Sequence, residues 1–179
     1  MRVNVMGAAG SGATTLGRAL AAEWGVPCFD SDAYFWEPTA VPFSVRRPPD
    51  VRDQLLLDDL DREADWIVSG SVFSWSRAIH ERFELIVFLF LPPALRLERL
   101  EARELRRYGP RIHTDPFWRA RHETFMRYAK DYDEARGIAK RTLPAHRAWL
   151  SRQPTEVLEL IGEMSVEERV RRVIDRAGR

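Results

Sequence analysis

At 179 residues the chain is long enough for one domain with a full hydrophobic core and too short for two of ordinary size. Its 45% hydrophobic and 31% charged side chains are a globular composition, its one cysteine, Cys28, excludes an internal disulfide, and no apolar run approaches a bilayer span. Net charge is only +1, yet 14 of the 28 basic and 8 of the 27 acidic residues fall between Arg96 and Arg147, so that segment is expected to meet an anion.

The chain opens with a short apolar run, Val3, Val5 and Met6, followed by Gly7, Gly10 and Gly12 and then an Ala- and Leu-rich stretch over 13–24. That order is strand, glycine loop, helix. Consecutive backbone N–H groups can turn inward around phosphate oxygens only where φ is unusual and no Cβ intervenes, and a helix N-terminus adds positive potential. Gly7, Ala8, Ala9, Gly10, Ser11, Gly12, Ala13, Thr14 and Thr15 are therefore the candidate phosphate loop. The spacing is that of GxxxxGK[S/T], with Ala13 in the place of the lysine.

Gly25 closes the first helix, and 26–29 reads as a second strand running into Asp30, Ser31 and Asp32. Residues 33–49, rich in Pro and aromatics, are expected to be irregular and to wall a pocket. Asp50 is placed as the N-cap of a helix over 51–63, where 51, 55, 56 and 60 are apolar. A third strand at 66–68 stops at Ser69 and Gly70. The seven apolar residues at 85–91 predict a strand buried on both faces, ended by Pro92 and Pro93.

From 94 to about 150 the pattern is helical, interrupted at Gly109, Pro110, Pro116, Gly137 and Pro144. A fifth strand follows at 156–161, and Ser165 with Glu168 forms a capping box for the last helix. The fold class is α/β: a parallel sheet with ligands at the carboxyl ends of its strands, where Gly7, Asp30, Ser69 and Pro92 all lie. His80, His113, His122 and His146 show no metal-ligand spacing and are read as surface or packing residues.

The glycine loop, FDSD at 29–32 and LFLPP at 89–93 resemble the small P-loop kinases of the adenylate kinase and shikimate kinase group, and most of all the bacterial P-loop NTPases of topology-modulation type. The resemblance spans nearly the whole chain. It implies a three-layer sandwich around a five-stranded parallel sheet of order 2-3-1-4-5, one domain over 1–179, with a substrate-binding insert at 33–65 and an arginine-rich lid at about 100–132. It further implies ATP and Mg²⁺ as cofactors. Thr14 would hold the metal, Asp30 would support it through water, and Asp32 would bind the acceptor hydroxyl and take its proton. Arg103 would stack on adenine and Arg107 or Arg111 would reach phosphates, while Arg47, Arg52 and Gly70 would serve the acceptor, a nucleoside monophosphate or a small hydroxylated metabolite.

The alternative is that one of Asp30 and Asp32 merely caps the turn after the second strand. The missing lysine leaves two expectations open. Either a lid arginine, or Arg18 one turn into the first helix, restores the charge and the chain is a working kinase, or it binds nucleotide without efficient turnover and acts as a switch. A nucleic-acid partner, suggested by the interleaved arginines and aromatics of 107–130, carries less weight because overall charge is near neutral. A membrane partner is not expected, and the expected compartment is the cytoplasm.

Overall fold

The computed structural model describes residues 1–178. Strand β1 (Arg2–Gly7) leads into α1 (Ala13–Trp24), followed by β2 (Cys28–Asp30), α2 (Ser31–Phe35), α3 (Pro49–Leu60), β3 (Trp66–Ser69), α4 (Arg77–His80) and β4 (Leu85–Phe90). Four helices come next, α5 (Pro93–Tyr108), α6 (Arg111–Thr114), α7 (Pro116–Glu134) and α8 (Leu143–Leu150), before β5 (Glu156–Ile161) and α9 (Val166–Ala177). The five strands form one parallel sheet in the order β2-β3-β1-β4-β5, with helices on both faces, as expected.

The central strands form where β-branched and leucine runs can be buried on both sides. Val3, Val5, Ile67, Val87 and Leu89 face a cluster with Leu16 and Leu20 of α1, Leu160 of β5 and Val173 of α9. Side chains alternate along a strand, so Asn4 and Met6 point to the opposite face. The Asn4 amide, fully buried, donates to the carbonyls of Val68 (3.0 Å) and Gly70 (3.1 Å). It thereby fixes the point at which the chain leaves β3.

Chain contacts divide the molecule into two compact units. The first comprises residues 1–7, 12–89 and everything described from 153 onward; the second comprises 8–11 and 90–152. The expected insert lies in the first unit and the expected lid in the second. In the second unit the helices break at the glycine and prolines that the sequence offers: Gly109 has φ 68°, and Pro110, Pro116 and Pro144 stand at or next to helix starts. Asp115 caps α7 by accepting from Phe117 N–H (2.9 Å) and Trp118 N–H (3.1 Å).

Two local expectations are corrected. Asp50 is not the N-cap of α3; Pro49 takes the first helical position, where its missing N–H costs nothing, and Asp50 lies inside the first turn. Residues 33–35, the start of the stretch expected to be irregular, belong instead to α2, because the Asp30 carboxylate accepts from Asp32 N–H and starts the turn. Ser165 caps α9 as expected, accepting from Glu168 N–H at 3.1 Å. Among the described residues no helix is long and apolar enough to cross a membrane.

Candidate functional site

Strand β1 delivers Gly7 to the middle of the sheet's carboxyl edge, in register with Leu89 of β4. The loop then tightens: Ser11 N–H donates to the Ala8 carbonyl (3.0 Å), and Gly10 (φ 84°) and Gly12 (φ 94°) adopt left-handed backbone. Gly12 is the N-cap of α1, and among the described residues no side-chain cap of that helix is formed. The first-turn N–H groups of α1 therefore find no partner from a capping side chain, which is the arrangement that suits a phosphate.

The loop is braced within the second unit by Arg96 of α5, which is 1% exposed. Its guanidinium donates to the Ala9 carbonyl (2.8 Å) and to the Ala129 carbonyl (3.4 Å), pairs with Asp133, and lies over the Tyr132 ring at 5.2 Å. A Cβ at Gly10 would stand 2.8 Å from the Arg96 carbonyl oxygen and 3.0 Å from Leu100 Cγ. Only glycine fits there without a shift of backbone.

The candidate replacements for the missing lysine fare differently. Arg18 is 72% exposed and 3.8 Å from the Asp30 carboxylate. The cation at the start of α1 is instead Arg169, buried on α9: a Cβ at Gly12 would lie 3.1 Å from its Nη1, while its Nη2 donates to the Gly162 carbonyl (3.4 Å). Sequence reasoning missed Arg169. The capping box located the start of α9 but carried no signal of which helix face would meet the glycine loop.

Asp30 sits beside Ser69 across β2 and β3. One carboxylate oxygen accepts from Asp32 N–H (3.1 Å) and the other faces Arg18, so the turn-capping role weighed for this pair belongs to Asp30. Asp32 is exposed in the first turn of α2, Thr14 is half-buried in the first turn of α1, and Thr15 is exposed. Gly70 (φ 101°) approaches Ser31 so closely that a Cβ would fall on its hydroxyl. Burial holds the neighbouring Cys28 thiol above its usual pKa, with the Ser69 hydroxyl opposing and the Asp30 charge reinforcing the shift.

The remaining arginines are engaged by the protein itself. Arg47 donates to the carbonyls of Ala33 (3.2 Å) and Tyr34 (2.5 Å) and pairs with Glu37 (3.4 Å), closing the aromatic insert. Arg52, buried, pairs with Asp53 (2.7 Å) and stacks on Trp75 at 4.1 Å. Arg103 and Arg107 flank the buried Glu104 at 3.4 and 3.9 Å, and Arg103 lies over the Phe125 ring. Of the histidines, His113 is exposed and His122 buried, and both approach the Glu101 carboxylate although their sequence spacing gives no sign of it.

No family model matches the sequence. It is 36% identical over 173 residues to the protein YqaC of Bacillus subtilis (strain 168), itself uncharacterized, across 97% of this chain and 95% of that one. The chain belongs to the YqaC family. Among solved structures, shikimate kinase from Bacteroides thetaiotaomicron matches with a TM-score of 0.59 at 21% identity, covering 100% of this chain and 99% of that one. Shikimate kinase from Acinetobacter baumannii, in complex with shikimate, matches with a TM-score of 0.57 at 19% identity, covering 98% and 92%. At such identities the likeness is one of fold, so the chain has the P-loop kinase fold of the shikimate kinases.

Proposed function

We propose that the chain is an ATP-dependent small-molecule phosphotransferase in which Arg169 supplies the charge of the absent P-loop lysine. The observation that carries this reading is the Arg169 guanidinium lying against Gly12, at an α1 N-terminus without a side-chain cap among the described residues. Arginine suits the role, because its planar fork of donors matches phosphate oxygens and keeps its charge when buried. The kinship with topology-modulation-type P-loop proteins belongs to the same reading.

The residues present fit the two cofactors. The uncapped helix start and the left-handed glycines suit a triphosphate, and the Thr14 hydroxyl with the Asp30 carboxylate offers the oxygen donors that Mg²⁺ requires. Mg²⁺ would neutralise charge on the outer phosphates during transfer. Asp32 would take the acceptor hydroxyl's proton, and Arg103 and Arg107 would supply further positive charge to the nucleotide. The acceptor is a nucleoside monophosphate or a small hydroxylated metabolite.

The test is calorimetric titration with a non-hydrolysable ATP analogue, with and without Mg²⁺. Micromolar, Mg²⁺-dependent binding is expected, weakened at least about tenfold in Arg169→Met, a loss near 1.4 kcal/mol, and regained when Ala13→Lys is added. Wild-type affinity in Arg169→Met would sink the assignment of Arg169. Phosphorylation of an acceptor panel, lost in Asp32→Ala, would complete the kinase reading. Binding without turnover would select the alternative of a nucleotide-dependent switch, which the engagement of Asp30 by the α2 cap and Arg18 favours.

A further inference from the structure

Three helices of the second unit bring a set of metal-ligand side chains together far from any spacing motif: Glu101 on α5, His113 on α6 and His122 on α7. His122 Nε2 is 2.8 Å from one Glu101 carboxylate oxygen and His113 Nε2 is 3.3 Å from the other. The two imidazoles meet edge to face at 5.6 Å between centroids, and one donor atom from each of the three residues falls within 4.8 Å of the others.

We propose that Glu101, His113 and His122 form a binding site for one divalent transition-metal ion, with Zn²⁺ the best match. Tetrahedral ligands at zinc are about 3.3 Å apart; the two imidazoles approach different oxygens of the Glu101 carboxylate, and with one donor from each residue within 4.8 Å of the others, small rotamer changes bring one oxygen and two nitrogens to that separation. Two imidazoles and one carboxylate are borderline ligands that prefer Zn²⁺ and its neighbours to Mg²⁺. The site is therefore distinct from the oxygen-donor magnesium site proposed at the glycine loop.

The burial of the three residues sets what the site can do. His122 is 8% exposed, whereas the His113 and Glu101 side chains are 55% and 42% exposed, so the fourth coordination position opens to solvent. An ion there ties the four-residue α6, which follows the Gly109 break, to the two long helices on either side. Metal at His122 Nε2 leaves the proton on Nδ1, a buried atom with no hydrogen-bond partner among the described residues. Such outer-shell support is commonly worth 10- to 100-fold in affinity, so binding on the order of micromolar is expected rather than the tighter grip of a fully supported site.

The test uses the full chain stripped with a chelator and titrated with ZnCl₂ alone by calorimetry. One equivalent is expected to bind at about pH 7. His113→Ala and Glu101→Gln should each weaken binding at least about tenfold and abolish the Zn²⁺-induced rise in melting temperature. Co²⁺ in place of Zn²⁺ should give the intense visible bands of a four-coordinate ion, absent in His113→Ala. Saturable binding that survives both substitutions, or no binding to the wild-type chain, would overturn the proposal. His113 is exposed enough that its variant should fold, which circular dichroism checks, so His113→Ala decides the matter if Glu101→Gln does not fold.

Discussion

At Gly10 two constraints coincide, a φ of 84° and an Arg96 carbonyl 2.8 Å from where a Cβ would stand. Gly25 shares only the first, with φ 66° and nothing within 4 Å of a built Cβ. Gly25→Ala is therefore expected to cost about 1–2 kcal/mol, the price of left-handed backbone alone. Gly10→Ala should cost more by at least about 1 kcal/mol and weaken ATP-analogue binding, because loop or helix backbone has to move. Equal losses in urea unfolding of the two variants would show that the approach of α5 to the loop is not tight. The glycines were legible as a candidate phosphate loop from spacing, but the reason for Gly10 was not, since its neighbour lies on α5.

At the scale of elements, α5 and α7 are joined by the buried pair of Arg96 and Asp133. Burial pushes the Asp133 carboxyl above its usual pKa, opposed by the Arg96 charge and hydrogen bond. Removing the cation leaves the carboxylate uncompensated and the Ala9 carbonyl without its donor. Arg96→Met is expected to cost about 3–5 kcal/mol, and Arg96→Met with Asp133→Leu to recover a substantial part of it. No recovery in the double variant would place the loss in the Ala9 contact instead. For α9, Ser165→Ala should remove about 1 kcal/mol by freeing Glu168 N–H, measured by the same unfolding series.

For the whole molecule, the clearest pH signature comes from His146 on α8, which is 1% exposed. Desolvation, aided by the Arg141 charge, lowers its pKa from 6.5 to about 4. Tyr132, its neighbour at 3.0 Å, has its own pKa raised by burial, so its hydroxyl keeps its proton and can donate to the neutral ring. Between pH 6.5 and 4 the unfolded chain takes up a proton that the folded chain refuses, so this contribution to stability is complete above 6.5 and is lost as pH falls toward 4. The loss amounts to about 3 kcal/mol, seen as a decline in unfolding free energy that His146→Gln flattens. A variant as acid-sensitive as wild type would remove His146 from the account.

The sequence by itself determined the succession of the five strands, the longer helices between them, the class of the sheet and the glycine loop, but not the short helices α2 and α4. These rest on local signals: hydrophobic runs, turn residues, caps and the spacing of three glycines. The bounds of α1 and β5 are those expected from such signals alone. The error at Asp50 arose where two local signals competed and proline took the first helical position. What only the tertiary structure decided is which distant side chains share a place. Arg169 beside Gly12, Arg96 under Ala9, and the meeting of Glu101, His113 and His122 each depend on how helices far apart in sequence present one face of their turn. An amphipathic period says that a helix has an inner face. It carries no information about which other segment that face will meet.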